Sequence, residues 1–401
     1  RIILHIDMNS YFASVEQQAN PFLRGKSIGV CAYLSPNGTI IASSIEAKAR
    51  GINTGTKVRE AQVLDPGIIL LENEPAKYRS ITERIFNIFK EYTDTVEPYS
   101  IDEAFLDLSG WVHDFKQAEK MACEIQSRIK TDVGEWLNSS VGISWTKFLA
   151  KFASDIAPKK SVLIINDESK LISTLKDRSL TDAWGINVRT ESKLNYLGIK
   201  NLLELKKYSS SKIRHSLGSQ GYYLWANVNG VEISSVNKGS VDSKSVGHSC
   251  CLPKKTKDKK YLRPVLFKLC EKTGRRLRSS EREAQGISIY LAYTQGGGAG
   301  KSWKTSEKIF TTEEIFLRAN KFLENADLLF PVRMIAVTVT RLSSVSSQMS
   351  LFEDGLSVKE LSRSMDKIND KYGEFTVTRG HMFGTGDVVK DRVGFRKTIN
   401  I

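Results

Sequence analysis

Three carboxylates stand where they could do chemistry. Asp7 follows the apolar run Ile2–Ile6, at the point where a strand must end. Asp102 and Glu103 occupy the turn Ser100-Ile101-Asp102-Glu103 between two further apolar runs. Strand ends converge from distant sequence when the strands share a sheet, so the three acids can meet at one rim. Clustered carboxylates repel one another and need cations, and their hard oxygens suit Mg²⁺. Two such ions about 3.5–4 Å apart activate a hydroxyl and stabilise a departing pyrophosphate. Taken singly, each acid reads as a helix cap or a turn residue; the signal is the combination. No nucleophilic side chain stands out among the five histidines and five cysteines. His5, inside the first strand, reads as a sheet residue and not a ligand.

The elements that must hold these acids follow from the pattern. After the first strand, Tyr11–Gln18 suits a helix with Phe12, Val15 and Gln18 on one face. Two short strands flank the turn Ser35-Pro36-Asn37-Gly38, and helices are expected over Ser44–Arg50 and Val58–Leu64. Tyr78–Tyr92 is amphipathic. Val96–Tyr99 and Ala104–Leu108 read as strands, then Phe115–Leu137 as helix, Ser140–Ser144 as strand and Thr146–Ile156 as helix. Short helices with Gly-containing turns run from Asp167 to about Gly230. Ser234–Ser245 looks like an exposed linker. Beyond it, strands (Ile287–Thr294, Ile335–Leu342) alternate with helices (Leu262–Ser279, Glu313–Ala326), and Val358–Tyr372 is a last helix. The fold class is α+β and multidomain.

Composition narrows the partners. The 401 residues carry a net charge of +14. Lys238–Lys308 alone holds 17 basic against 6 acidic residues, a net of +11, and the other 330 residues hold only +3. Such a block suits a polyanion, because each Lys or Arg at a phosphate releases condensed counterions. A solvated charged face or an acidic protein would be the plainer partner. No apolar run approaches the ~20 residues of a membrane span. An odd number of cysteines without metal-ligand spacing suits a reducing cytoplasm. The chain begins at Arg1, directly on a strand, which reads as a cut end and not as a signal peptide.

With the acids in place, Asp7-Met8-Asn9-Ser10-Tyr11-Phe12-Ala13-Ser14-Val15-Glu16, Ser100-Ile101-Asp102-Glu103-Ala104 and Val141-Gly142-Ile143-Ser144 resemble a Y-family translesion DNA polymerase, in matching order from residue 1 to about 345. Asn9, Ala42, Lys48 and Trp184-Gly185-Ile186 are most similar to the catalytic subunit of bacterial polymerase V. The resemblance implies a right-hand architecture: a palm over 1–10 and 75–165, fingers over 11–74, and a helical thumb over 166–232. A linker over 233–243, an α+β little finger over 244–343 and a tail over 344–401 complete it. It implies that Asp7, Asp102, Glu103 and the Met8 main-chain carbonyl bind two Mg²⁺ ions. Phe12 takes the steric-gate position, excluding a 2′-hydroxyl. Main-chain N–H groups of Ser10, Tyr11 and Phe12 would face the triphosphate of a deoxynucleotide. Ile45 and Lys48 replace the family's usual Tyr and Arg, so Lys48 offers a point charge without the Arg fork. Pro158 shifts the register of the second phosphate-binding lysine, which leaves Lys159 and Lys160 both as candidates.

For primer-template DNA, the resemblance implies a helix-hairpin-helix at Trp184–Leu197, where Gly185, Asn187 and Arg189 meet a phosphate without sequence readout. Gly218-Ser219-Gln220-Gly221 is a weaker turn of this kind. Lys254, Lys255, Arg275, Arg276 and Arg278 of the basic block would hold the duplex backbone. Gln348-Met349-Ser350-Leu351-Phe352 resembles the bacterial sliding-clamp pentapeptide, with Gln348, Leu351 and Phe352 as contacts. Accessory subunits, no membrane and a bacterial cytoplasm at the nucleoid complete the expectation. Short fingers, and no segment left over for an exonuclease, imply low fidelity. A catalytically silent DNA- and clamp-binding accessory protein, a nucleotide cyclase and an architectural duplex binder are the competing readings.

Overall fold

The computed structural model describes residues 1–238, 243–345, 355–386 and 388–389, with side chains for all but 355–357. Two compact units, divided between Val241 and Asp242, each enclose their own core.

In the first unit, β1 (Ile3–Met8) runs up the middle of a sheet and turns into α1 (Tyr11–Ala19). A small sheet follows, made of β2 (Ile28–Cys31), β3 (Ile40–Ser43) and, beyond α2 (Ile45–Ala49) and α3 (Val58–Leu64), β4 (Ile69–Glu72). Then come α4 (Pro75–Lys90), β5 (Val96–Pro98), β6 (Glu103–Asp107), α5 (Phe115–Arg128), β7 (Ser139–Ser144), α6 (Lys147–Ile156) and β8 (Val162–Ile164). The large sheet has the order β5-β6-β1-β7-β8. Strand β1 can be apolar on both faces because both are covered. Leu4 and Ile6 belong to one core with Ile85 and Phe86 of α4 and Ala118 and Ala122 of α5, while Ile3 and Phe105 share another with Ala150 of α6. A Cβ at Gly142 would lie 2.0 Å from the Ala150 carbonyl oxygen, so that glycine is what lets α6 lie close on β7.

Helices α7 (Glu168–Leu175), α8 (Val188–Tyr196), α9 (Leu202–Lys207) and α10 (Ser210–Val228) pack around Leu171, Leu194, Leu205 and Ile213. Gly218, with φ 66° and ψ −155°, breaks α10 where a turn was expected.

The second unit contains β9 (Ser245–Thr256), α11 (Lys259–Ser279), β10 (Arg282–Tyr293), β11 (Gly298–Ile309), α12 (Thr312–Asn325), β12 (Val332–Ser344) and α13 (Gly355–Tyr372). Its antiparallel sheet has the order β11-β10-β12-β9, with α11 and α12 on one face. The pattern reading found the central strands β10 and β12 and missed β9 and β11, which are the two edges. The segment 344–401 is not all tail. Ion pairs join α13 to α11, and Met382 and Val389 enter the second core.

Candidate active site

Five residues of β1 are paired in register with β6 and six with β7, which puts Asp7 directly opposite Glu103 on one side and Ser140 on the other. The Met8 N–H donates to the Asp102 carbonyl at 2.9 Å, so the end of β1 and the acidic turn are stitched together. A cavity of about 180 Å³ opens here. Asp7, Met8 and Asp102 contribute to its lining, as do Ser10, Tyr11, Phe12, Lys48 and Lys159. The structure thus brings together residues separated by up to 152 positions.

The electrostatics of that lining are uneven. Burial, then the charges of Asp102 and Glu103, push the Asp7 carboxyl up to about 8. Burial also raises Asp102, although the Ser100 hydroxyl donates to it. Glu103 behaves oppositely. Burial would raise it, but the bond to His5 and the charge of Lys151 outweigh burial and hold it at about 2. Lys151 Nζ lies 2.6 Å and His5 Nε2 3.1 Å from the same oxygen, Glu103 Oε2, which leaves Oε1 for another partner. Burial lowers the pKa of His5, so it sits here neutral. Two carboxylates that resist ionising together, with main-chain and carboxylate oxygens beside them, mark a place suited to a hard divalent cation. Among the described residues no three His, Cys, Asp or Glu side chains close around one metal position. The donor set of Asp7, Asp102, Glu103 Oε1 and the Met8 carbonyl still fits Mg²⁺.

The opposite wall is cationic. Lys48 Nζ donates to the Ser10 hydroxyl at 2.9 Å, and burial followed by the Lys159 charge lowers the Lys48 pKa. Of the two candidate lysines, Lys159 lines the cavity. Lys160 takes φ 67°, and its N–H donates to Asn9 Oδ1 at 3.0 Å. Asn9 also donates to Ser140, so it ties the lysine loop to the end of β1.

Phe12 is buried, with its ring 4.5 Å from that of Tyr78. Tyr78 donates its hydroxyl to Glu16 at 2.8 Å, and Lys77 neutralises Glu16 at 3.0 Å. Thr82 reaches the Ile101 carbonyl at 2.6 Å, joining α4 to the acidic turn. Glu16, Tyr78, Thr82, His5 and Lys151 were not singled out by sequence as site residues, and only the fold brings them there.

The expected DNA contacts divide. Gly185 is exposed with φ 93°, and Arg189 is exposed on α8. Asn187 spends its side-chain oxygen capping α8 through the Thr190 N–H at 3.0 Å, so only its amide nitrogen and main chain remain for a phosphate. Trp184 packs edge-on to Tyr99 at 5.4 Å. Lys254 and Lys255 are exposed on edge strand β9. Arg275 and Arg278 correct the sequence reading. Arg278 is buried and forks onto Asp366 at 2.5 and 2.9 Å, while Arg275 reaches Asp370 at 2.7 Å. These arginines hold α13 and are not offered to DNA. Half-buried Arg276 lies between them in sequence on the same helix. The face of the sheet opposite the helices carries small and polar residues beside Tyr290. There Gly286, Ser288 and Tyr290 run beside Thr340, Thr338 and Ala336, and Lys304 pairs with Gly286. Gln348, Leu351 and Phe352 lie outside the described residues.

Acids on one wall, lysines on the other and an aromatic between them make this a nucleotidyl-transfer type of site on a polymerase-like sheet. Comparisons with known proteins carry that class to a family. Residues 6–155 match the impB/mucB/samB family and residues 243–351 match the C-terminal domain of that family. The DNA polymerase IV of Bacillus velezensis is 33% identical over 394 residues, covering 95% of this chain and 92% of its own. That of Pelotomaculum thermopropionicum is 31% identical over 401 residues, covering 98% of both. A solved Y-family DNA polymerase chimera of Dbh and Dpo4 segments superposes with a TM-score of 0.78 at 24% identity, covering 86% of this chain and all of the chimera. That last likeness speaks for the fold alone. The chain belongs to the Y family of DNA polymerases. These relatives bear the name DNA polymerase IV, so the narrower resemblance to polymerase V rests on Asn9, Ala42, Lys48 and Trp184–Ile186 alone.

Proposed function

We propose that this chain is a template-directed, low-fidelity DNA polymerase of lesion bypass, extending a primer 3′-end with deoxynucleotides. The observation that carries the reading is the cavity that joins Asp7 and Asp102 to Lys48, Lys159 and Phe12. In the reaction the primer 3′-oxygen forms a bond to the α-phosphorus, its proton leaves, and the bond to pyrophosphate breaks. Lys48 and Lys159 hold the triphosphate, and the start of α1 turns main-chain N–H groups of Tyr11 and Phe12 towards it. Phe12, backed by Tyr78, sits beneath the sugar and leaves no room for a 2′-hydroxyl. Lys151 and His5 fix Glu103 so that one oxygen faces the reacting end. Two Mg²⁺ ions held by Asp7, Asp102, Glu103 and the Met8 carbonyl would lower the hydroxyl pKa and screen the leaving charge.

The hairpin at Gly185 supports duplex binding through backbone phosphates, as do Arg189, the lysines Lys254 and Lys255, and the sheet face that carries Lys304. Clamp recruitment through Gln348, Leu351 and Phe352 is part of the same proposal, as is work on bacterial DNA in the cytoplasm. The names of the relatives favour a polymerase IV-like role over a polymerase V-like one with accessory subunits. Extension of a primed template with Mg²⁺ and single deoxynucleotides, on intact and abasic templates, tests the reading. Templated addition that is lost in Asp102→Ala and Glu103→Ala supports it. Tight DNA binding without addition by the wild-type chain, with or without clamp, would favour the silent accessory protein.

A further inference from the structure

The ring of Phe12 cannot fix its own position. It has no polar atom, so only packing holds it, and apolar packing is not directional. What lies behind it is held differently. Phe12 and Glu16 are four residues apart on α1 and share one face of that helix. Tyr78 of α4 lies across that face. Its ring is 4.5 Å from the Phe12 ring at a tilt of 32°, and its hydroxyl donates to Glu16 Oε1 at 2.8 Å. One turn of α1 thus grips the same tyrosine at both ends. The main chain is fastened as well, because the Tyr11 hydroxyl donates to the Tyr78 carbonyl at 2.9 Å.

Tyr78 is fully buried, and a buried phenol needs an acceptor. A carboxylate makes the stronger bond, but burying one is costly unless its charge is answered. Lys77 answers it, at 3.2 and 3.0 Å from the two Glu16 oxygens, and is itself steadied by Glu74 at 2.8 Å. Phenylalanine at position 78 would fill nearly the same volume and need neither Glu16 nor Lys77. Packing alone therefore does not account for the arrangement. Glu16, Lys77 and Tyr78 are absent from the lining of the nucleotide cavity, whereas Phe12 is part of it, so they can reach the nucleotide only through Phe12. A shift of about 1 Å in a positioned group is enough to change a rate strongly. We propose that Glu16, backed by Lys77, is a positioning residue for sugar selection: by holding the Tyr78 hydroxyl it keeps the Phe12 ring from yielding to a 2′-hydroxyl. The inference rests on the reading of Phe12 as the residue beneath the sugar.

The test is insertion of the matched deoxynucleotide and ribonucleotide opposite one template base by the full chain. The ratio of the two kcat/KM values is taken on one preparation, so the folded fraction cancels. Glu16→Ala and Tyr78→Phe should each lower the preference for the deoxynucleotide about 5-fold, the worth of one buried hydrogen bond. Glu16→Gln still presents an oxygen to the phenol and should keep the wild-type preference. The double variant Glu16→Ala with Tyr78→Phe should lose no more than either single one, because both remove the same bond. Phe12→Ala should lose more than any of them. If Glu16→Ala fails to fold, Tyr78→Phe, smaller by one oxygen atom, carries the same test. A merely structural role would lower both kcat/KM values together and leave their ratio unchanged. That result in Glu16→Ala and Tyr78→Phe, with the ratio falling in Phe12→Ala, overturns the inference and leaves Phe12 as the gate. Additive losses in the double variant also overturn it, because Glu16 would then act by another route. A wild-type ratio in Phe12→Ala overturns the gate reading and this inference with it.

Discussion

Both units bury charged side chains, and they do so to opposite ends. At the end of β1, Asp7 and Asp102 are crowded together without enough positive charge, and both carboxyls are raised. Beneath α13, buried Arg278 meets Asp366, and Lys272 meets Glu374 at 3.0 Å, so each charge is answered. The first arrangement costs stability and creates a place for a cation and its substrate. The second makes a segment outside the family match an integral part of its domain. At the cavity the raised carboxyls of Asp7 and Asp102 leave charge for a cation to answer, whereas beneath α13 the paired charges fasten the segment.

That contrast can be broken by mutation. Asp102→Ala should lower the primer-extension rate by at least about 10³-fold, the scale of losing several kcal/mol of transition-state charge stabilisation, while the melting temperature holds or rises. Asp366→Ala should do the reverse. Stranding the buried Arg278 should destabilise the second unit by about 3–5 kcal/mol, read by denaturant unfolding, with turnover per folded molecule kept. Phe12→Ala should relax discrimination against ribonucleotides by about 10–200-fold, measured as a ratio of kcat/KM values. Asn9→Ala frees the Lys159–Lys160 loop and should raise the KM for the nucleotide about 10-fold, the worth of one buried hydrogen bond.

A further prediction concerns the pH dependence of the metal-free chain. An unfolded Asp loses its proton near ~4, whereas Asp7 in the folded chain keeps it to about 8. The folded state binds the extra proton across that window, so stability falls as pH rises through it. Melts in EDTA should show that fall, Asp7→Asn should flatten it, and added Mg²⁺ should offset it only in the wild-type chain.

Much of this was legible in the sequence where one strand or one turn decides it. The apolar run of β1 ending at Asp7 and the turn at Asp102-Glu103 required no partner to be recognised. Strands β10 and β12 were legible because both flanks are occupied and their inward residues must be apolar. Edge strands β9 and β11 pair on one side only, so sequences such as Gly298–Ile309 carry lysines and glycines with little alternation. What pairs at long range was not legible. Arg278 looked like a DNA contact because its neighbours are basic, while its true partner, Asp366, lies 88 residues on. The packing of Tyr78 behind Phe12 and the clamp of Lys151 on Glu103 are tertiary in the same way. No local pattern distinguishes Lys151 from a solvated lysine.

The most direct measurement is single-turnover primer extension by the wild-type chain, Asp102→Asn and Asp366→Ala, each corrected for its folded fraction. The expected result is near-complete loss of templated addition in Asp102→Asn and a rate close to wild type in Asp366→Ala. Retention of activity by folded Asp102→Asn would contradict the assignment of the cavity at the end of β1 as the site of nucleotidyl transfer.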